Sequence, residues 1–324
     1  MVSILIPTYN RAAYLRDAIR SGVEQTHQDT EIIVLDDCSP DDTGSVVREF
    51  TQDPRVRYLR NDPNLGIARN WQTGIAQARG DYFCILHDDD TFDPAFVERL
   101  LQPLTRDESL ILSFCDHWVM DASGRRLPVE SEQATHGYKR DILPEGLLHS
   151  FAEAALVHTI IPAGGALYRR SLVTPDFVDS RARGSIDMWL LYRCLGTGAG
   201  AYYVPERLMN YRSHAQGMSR SMPFEMIEGH IFRYRAMLGD AALFSFHAAL
   251  QRKLAEALEW HGMALLRTHQ MGRAREAFGE ATAIHPTAKS RIGRLLAAMG
   301  GSGGRLVALL DRLKAVTSSK SGGS

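Results

Sequence analysis

Three consecutive aspartates, Asp88, Asp89 and Asp90, follow the apolar run Tyr82–Leu86. The run is short, aromatic and preceded by a Gly-Asp pair, which is typical of a buried strand. Three carboxylates at the end of such a strand repel one another unless a positive charge lies among them, and a hard divalent cation or a metal–phosphate pair supplies that charge. A solvated acidic turn that caps the following helix explains the same residues without any chemistry. The triplet alone leaves both interpretations open.

The first hundred residues alternate between strand-like and helix-like segments, which indicates βαβ units and an α/β fold with a mainly parallel sheet covered by helices on both faces. In chain order, the segments are Val2–Ile6, Ala12–Gln25, Glu31–Leu35, Thr43–Phe50, Val56–Leu59, Ile67–Ala78, Tyr82–Leu86 and Pro94–Leu104. Ligands of such sheets bind at the carboxyl ends of the strands. Polar clusters follow three of the strands, at Pro7–Arg11, Asp36–Ser39 and Asp88–Asp90. Their shared position favours a binding site over three unrelated turns.

The pattern is weaker after Leu104 and becomes almost wholly helical from Phe224 to Ala298. Between these points we expect strands and helices at Leu110–Trp118, Pro144–Val157, Ala163–Tyr168, Ile186–Cys194 and Ala201–Val204. Within the helical part, Leu254–Ala283 reads as two amphipathic helices that meet near a Gln-Met-Gly sequence.

The bulk composition is that of an ordinary globular protein, with 324 residues and a formal net charge of -1. This charge excludes a general nucleic-acid footprint. The four cysteines are scattered without a C-x-x-C pair, so neither a zinc site nor a disulfide framework is indicated. We find no secretory leader pattern and no apolar run of roughly 18 residues. We therefore expect a cytoplasmic protein, with peripheral contact at the inner face of a membrane left open.

Several short motifs, in order, resemble family 2 of the inverting glycosyltransferases. They are Ser3–Asn10, Gln25-Thr26, Glu31–Ser39, Asn64–Asn70, Ala78–Tyr82 and the aspartate triplet. The resemblance covers roughly residues 1–215. It implies a GT-A fold and the transfer of a sugar from a nucleoside-diphosphate sugar to a glycan, a lipid-linked glycan or another hydroxyl acceptor. UDP is the default nucleotide, and dTDP and GDP remain open.

The resemblance places the donor nucleotide against Pro7, Tyr9, Asp37, Arg69 and Asp88. Tyr9 would flank the base, since an aromatic face suits a nucleobase, and Asp37 would accept a hydrogen bond from the ring N–H of the base. Arg69 would lie near the base or the diphosphate, and Asp88 near the ribose and the water shell of the metal. The structural alternatives are a loop aromatic for Tyr9, a turn residue for Asp37 and a solvated helix charge for Arg69.

The resemblance also implies a metal, Mn²⁺ or Mg²⁺, held by Asp89 and Asp90, although family members differ in which of the two binds it directly. The Tyr-Arg-Ser-His sequence at 211–214 resembles the Y-R-x-H segment of many members. Arg212 is a candidate phosphate partner. His214 is a candidate metal ligand or diphosphate contact, or else an ordinary loop histidine.

An inverting transfer requires a carboxylate that takes the proton from the acceptor hydroxyl. The family supplies it from an Asp at a helix start, often after Glu, and Asp187 occupies that position here. Ile186 replaces the usual acidic neighbour, and a helix-capping role explains the same aspartate. Trp189 is a candidate acceptor platform or a core residue.

These assignments divide the chain into four parts. Residues 1–104 form the nucleotide-sugar-binding half and residues 105–220 the acceptor-binding half of one catalytic domain. Residues 221–299 form a helical region, and residues 300–324 a flexible linker, a short basic amphipathic stretch and a disordered tail. The oligomeric state is not indicated.

Other enzyme classes lack their motifs in this chain. A sugar nucleotidyltransferase would need a Gly-rich basic loop after the first strand. A Rossmann dehydrogenase would need the motif G-x-G-x-x-G, and a P-loop enzyme would need the motif G-K-[ST]. The alternative that stays open is a non-catalytic sugar-nucleotide-binding or scaffold protein that acts through its helical C-terminal region.

Overall fold

A computed structural model describes residues 1–148, 150–162, 164–215, 217 and 224–302. The chain divides into two units, Met1–Ser221 and Met222–Ser324. The predicted basic stretch and tail after residue 304 lie outside the described residues. In the described part, no helix is long and apolar enough to cross a bilayer.

The first unit contains nine strands and six α-helices in its described residues. The strands are β1 (Val2–Thr8), β2 (Thr30–Asp36), β3 (Val56–Arg60), β4 (Tyr82–Ile85), β5 (Thr91–Phe92), β6 (Leu110–Met120), β7 (Gly146–Leu147), β8 (Ala166–Arg169) and β9 (Gly200–Arg212). The helices are α1 (Ala12–Val23), α2 (Thr43–Arg48), α3 (Ile67–Gln77), α4 (Phe96–Arg106), α5 (Pro128–Gly137) and α6 (Ile186–Leu195).

The strands form one sheet in the order β3-β2-β1-β4-β8-β6-β9-β5, with β7 beside β9. β3, β2, β1 and β4 are parallel, and β8 runs opposite to both β4 and β6. β6 and β9 are parallel to each other. Because β8 reverses direction between them, the carboxyl ends of β1, β2, β3, β4, β6 and β9 lie at the same edge. The mainly parallel α/β sheet is confirmed.

Helices cover both faces of this sheet because successive side chains of a strand point to opposite faces. A Cβ on Gly22 of α1 would lie 3.8 Å from Ile4 Cδ1. A Cβ on Gly74 of α3 would lie 3.4 Å from Leu5 Cδ1 and 2.3 Å from Leu35 Cδ1. Glycine at position 74 therefore permits α3 to approach β1 and β2 closely, and all of β2 is buried.

Two elements expected in the second half have different bounds in the structure. The helix expected within Pro144–Val157 is confined to the end of that segment: β7 lies at Gly146–Leu147, residues 151–152 are helical, and a π-helical turn follows at Glu153–Val157. Gly146 has φ +136°, which a continuous helix cannot contain. The strand predicted at Ala201–Val204 extends over Gly200–Arg212, because its polar residues pair with β6 along that strand's whole length.

The second unit is helical in its described residues, with α7 (Phe224–Leu238), α8 (His247–Arg267), α9 (Met271–Ile284) and α10 (Ala288–Ala298). The predicted pair of helices that meet near Gln270 is confirmed by α8 and α9. Phe278 is fully buried between two glycines of neighbouring helices, Gly262 on α8 and Gly293 on α10. A Cβ at Gly293 would lie 2.4 Å from the Phe278 ring.

We predict opposite effects for alanine at two helical glycines of this unit. Gly293→Ala should lower the free energy of unfolding by about 1–3 kcal/mol, because the phenyl ring cannot yield without repacking. Gly279→Ala is the matched control: a Cβ there meets nothing within 4 Å, so the variant should gain about 0.5–1 kcal/mol of helix propensity. Urea denaturation followed by circular dichroism measures both, and a Gly293→Ala protein as stable as wild type contradicts the packing.

Candidate functional site

The aspartate triplet lies in a tight turn at the carboxyl edge of the sheet. The Leu86 N–H donates to the Leu5 carbonyl at 2.8 Å, which keeps the chain beside β1. The Asp90 N–H then donates back to the His87 carbonyl at 3.1 Å. Directly afterwards, β5 pairs with Met209 and Asn210 of β9. The turn is thus held between the ends of β1 and β9.

Asp89 lies between two basic side chains that come from distant parts of the chain. The Arg11 guanidinium forms an ion pair with its Oδ2. His214 Nε2 lies 3.0 Å from the same oxygen and 3.3 Å from Arg11 Nη1. Burial would raise the pKa of Asp89, but the positive charges of His87, His214 and Arg11 outweigh burial and lower it. Asp89 is therefore a carboxylate whose charge is already balanced by protein cations.

The negative charges of Asp90 and Asp88 are less completely balanced by protein cations than that of Asp89. Asp90 is buried, and its Oδ1 accepts the Arg212 N–H at 2.8 Å. Its Oδ2 lies 3.5 Å from His87 Nδ1, too far for a strong hydrogen bond, and has no closer partner in the described part of the chain. Burial raises the pKa of Asp90. Burial, followed by the neighbouring Asp89 charge, raises the pKa of Asp88 to about 7.

Arg212 anchors the triplet through its backbone and side chain. Its Nε donates to the Asp89 carbonyl at 2.7 Å, its Nη2 to Asp17 Oδ2 at 3.1 Å and its Nη1 to the Ala122 carbonyl at 3.2 Å. The guanidinium also lies over the Tyr14 ring, 5.0 Å from its centroid. Each of these nitrogens already serves the protein, which favours a structural role for Arg212. Its contact with a phosphate stays a prediction.

Two residues of this cluster were missed from the sequence, Arg11 and His87. If the alternation of the preceding strand continued, His87 would point away from Asp88, but the backbone turns after Leu86, so that the imidazole comes beside Asp90. Burial lowers the pKa of His87, but Asp90 and then the charges of Asp89 and Asp187 outweigh burial and raise it to about 9. Arg11 follows the Pro-Thr-Tyr-Asn sequence directly, as the last residue of the polar cluster after β1, and this position was the only sequence feature that pointed to a role in the site.

Asp37 fixes the loop that follows β3. Its Oδ1 accepts the Leu65 N–H at 2.8 Å and the Asn61 side-chain amide at 2.9 Å, and its Oδ2 accepts the Gly66 N–H at 2.8 Å. Gly66 has φ +81°, a conformation that favours glycine. Asp36, its neighbour, is fully buried and accepts from Tyr58, Arg60 and the Ser39 backbone. Both aspartates thus shape this side of the edge.

The other predicted donor residues lie at the same edge with different exposure. Tyr9 is half exposed, with 50% of its surface accessible, and Pro7 before it is partly buried. Arg69 is exposed on the first turn of α3. An open aromatic face beside the Asp37 loop is compatible with a stacked base. The roles of these residues stay predictions.

Asp187 lies in the first turn of α6 and is partly exposed. Its charge contributes to the raised pKa of His87, so it lies within electrostatic reach of the triplet turn. Trp189 is only 6% exposed, and its ring meets Tyr192 edge-on at 5.3 Å between centroids. This burial favours the packing role of Trp189 over an open sugar platform.

A second buried polar network joins β6, β9 and the chain after α5. Arg140 Nη1 donates to Asp116 Oδ1 and to His117 Nδ1, both at 2.7 Å, and its Nε donates to the Ile160 carbonyl at 2.7 Å. Arg207 Nε reaches Asp116 Oδ2 at 3.4 Å. Burial and then the Arg140 charge lower the pKa of His117 to about 4. The imidazole is therefore neutral at neutral pH.

We predict that His117 makes folding sensitive to acid. An unfolded histidine binds a proton below about pH 6.5, whereas folded His117 resists it down to about pH 4. The unfolded state therefore binds more protons in this window. The free energy of unfolding should decrease by up to about 3 kcal/mol as the pH is lowered through it. The charged or titratable groups around the ring are Asp116 on β6, Arg207 and Tyr211 on β9, and Tyr138 and Arg140 after α5.

Urea denaturation between pH 7 and pH 4 measures this effect. His117→Gln keeps an acceptor for Arg140 and should lose much less stability over the interval than wild type does. His136→Gln, at an exposed histidine on α5, is the matched control and should behave like wild type. An unchanged pH slope in His117→Gln contradicts the assignment.

Comparisons with known proteins agree with this geometry. The glycosyl transferase family 2 model matches residues 3–173. An uncharacterized glycosyltransferase of Rickettsia prowazekii is 30% identical over 220 residues, which is 66% of this chain and 64% of that protein. The chain thus spans slightly less than two thirds of that relative's length.

Two solved structures share the fold. S. aureus TarS 1-349 in complex with UDP-GlcNAc has a TM-score of 0.64 at 15% identity, over 97% of this chain and 92% of that one. The mannosyltransferase PcManGT of Pyrobaculum calidifontis, in complex with GDP-Man and Mn²⁺, has a TM-score of 0.56 at 16% identity, over 96% and 87%. The triplet, the Asp37 loop and the family match together lead to one conclusion: this chain belongs to glycosyl transferase family 2.

Proposed function

We propose that this glycosyltransferase is an inverting, metal-dependent enzyme that moves a sugar from a nucleoside-diphosphate sugar, by default a UDP-sugar, to a hydroxyl acceptor. The observation that carries the proposal is the buried, incompletely balanced carboxylate pair Asp88 and Asp90 at the edge that also presents Tyr9 and Asp37. Such an edge accepts a cation and a nucleotide together.

The donor nucleotide would lie against the half-exposed ring of Tyr9, with Pro7 beside it. Asp37 accepts three hydrogen bonds from the protein, and a carboxylate has about four acceptor sites, so one site remains for the N–H of a base. Arg69 is exposed and free to turn toward a diphosphate. The two structural neighbours are complexes with UDP-GlcNAc and GDP-Man, and both ligands are nucleoside-diphosphate sugars.

The triplet fits a divalent cation in the chemistry of its donors. In the described residues, no three His, Cys, Asp or Glu side chains already converge as a metal site. However, the buried Asp90 Oδ2 has no close partner among them, and the pKa values of Asp88 and Asp90 are raised. Mn²⁺ or Mg²⁺ held by Asp89 and Asp90, with Asp88 at its water shell, would offset charge on the leaving diphosphate.

Arg11 must change partner when such a cation binds. It now forms an ion pair with Asp89 and contacts His214. A cation on Asp89 would repel the guanidinium, and the diphosphate would attract it, because arginine forms paired hydrogen bonds with phosphate. His214 could then remain with Asp89 or join the metal shell. Arg11 therefore joins the predicted donor-binding residues.

Asp187 would act as the general base. It would take the proton from the acceptor hydroxyl as that oxygen forms a bond to the anomeric carbon, while the bond from that carbon to the diphosphate breaks. Its position in the first turn of α6 places it at the positive end of the helix dipole. The His87 side chain, which is positive at neutral pH, lies within electrostatic reach and would stabilise the negative charge of the Asp187 carboxylate.

We place the reaction in the cytoplasm, in the synthesis of a polysaccharide or glycoconjugate. The acceptor would be a glycan, a lipid-linked glycan or another molecule with a free hydroxyl. A screen of UDP-, dTDP- and GDP-sugars for thermal stabilisation in the presence of Mn²⁺ identifies the donor.

We predict that Asp187→Asn abolishes transfer and leaves donor binding intact. The amide cannot accept the proton, so turnover should fall by roughly 10²–10⁴-fold, whereas the dissociation constant for UDP should change little. Product formation with the best donor and calorimetric titration with UDP measure the two quantities. Asp176→Asn, at an exposed aspartate before α6, is the matched control and should be active.

The same experiment separates the enzyme from the non-catalytic alternative. Near-native turnover in Asp187→Asn contradicts the assignment of the base. Binding of UDP without turnover of any donor and acceptor, in wild type as well, favours a sugar-nucleotide-binding or scaffold protein.

A further inference from the structure

Helix α10 carries an exposed apolar stripe. Ile292, Leu295 and Met299, which follows the last helical residue, are 56%, 67% and 54% exposed. Their i, i+3, i+7 spacing puts them on one face. The buried residues of the helix, Ser290, Gly293 and Ala297, lie on the opposite face, toward the core of the unit. The stripe therefore faces away from that core.

Basic side chains border the stripe on both sides. At 100° per residue, Arg291 lies on one flank and Lys289 on the other, and Arg294 lies beyond Arg291, toward the buried face. All three are exposed. The sequence from Pro286 to Ser302 contains no aspartate or glutamate. A nearby carboxylate comes from another helix, where Glu259 Oε2 lies 3.6 Å from Lys289 Nζ. The surface of α10 thus combines apolar and cationic groups.

The sequence extends this cationic character to the end of the chain. Residues 286–324 contain seven Lys and Arg and one Asp, a net charge of +6, whereas the whole chain has a net charge of -1. The remaining 285 residues therefore carry -7. Charge separated in this way along a sequence is typical of a segment that meets an anionic partner.

We propose that the stripe of α10, with Lys289, Arg291 and Arg294, docks on an anionic phospholipid surface. Apolar side chains flanked by cations are the pattern of a helix that lies in the interface of a membrane. The stripe would enter the acyl boundary, and the cations would pair with lipid phosphates. An 11-residue helix is about 16 Å long and lies on such a surface without crossing it.

A second copy of the chain is a poorer occupant of this stripe. Two-fold pairing of α10 with itself would bring six cations together with no acidic residue of either α10 between them, and like charges at a self-complementary interface repel. An anionic lipid surface offers an acyl boundary to the apolar stripe and phosphates to the cations beside it.

Vesicle sedimentation of the full chain tests the proposal. We expect binding to phosphatidylcholine vesicles that contain about one third phosphatidylglycerol, little binding to pure phosphatidylcholine, and release by salt. The double variant Ile292→Ser/Leu295→Ser should bind about 10-fold more weakly or worse. Arg291→Gln/Arg294→Gln should lose roughly 5-fold per charge. Val129→Ser, at an exposed apolar residue of α5, is the matched control and should bind like wild type.

Equal binding to neutral and anionic vesicles, or wild-type binding by Ile292→Ser/Leu295→Ser, overturns the proposal. Light scattering tests the other occupant, a second copy of the chain. A wild-type dimer that becomes a monomer in Ile292→Ser/Leu295→Ser assigns the stripe to that second copy and also overturns the membrane proposal. Transfer to a soluble acceptor should be unchanged in all these variants, so failure of the membrane proposal is distinct from failure of the enzymatic one.

Discussion

The organisation of the first unit depends on one electrostatic constraint, the presence of three adjacent carboxylates in a largely buried turn. Buried carboxylates need positive partners. The chain supplies them from the end of β1 with Arg11, from the turn itself with His87 and from the end of β9 with His214. The partners balance Asp89 well and leave Asp88 and Asp90 with raised pKa values. A cation bound at this turn would therefore favour the ionised forms of Asp88 and Asp90.

The sheet makes this cluster geometrically feasible. Arg11 and His214 are separated by 203 residues, and they meet because β9 ends at the same edge as β1. That outcome rests on the reversed strand β8 between β4 and β6, which returns β6 and β9 to the direction of the first strands. Asp36 and Asp37 hold the neighbouring loop in place from β2. The site is thus assembled by strands and supported by buried polar contacts.

Much of this arrangement could be predicted from the sequence. Apolar runs identified β1, β2 and β4, and the polar residues after them indicated the functional edge. Contacts between distant residues could not be predicted, because local periodicity carries no information about them. The Arg140–Asp116 pair spans 24 residues, and β9 was underestimated because its polar side chains find partners on β6. His87 was missed because a tight turn interrupts the strand alternation, which would otherwise point its side chain away from Asp88.

The most direct test of the central claim is calorimetric titration of the protein with UDP, once with Mn²⁺ and once with a chelator, in wild type and in Asp89→Ala. If the carboxylates hold a cation that binds the diphosphate, UDP should bind wild type at least ~10-fold more tightly with Mn²⁺, a difference of about 1.4 kcal/mol. Asp89→Ala should lose that difference. Equal affinity with and without the metal in wild type would contradict the account.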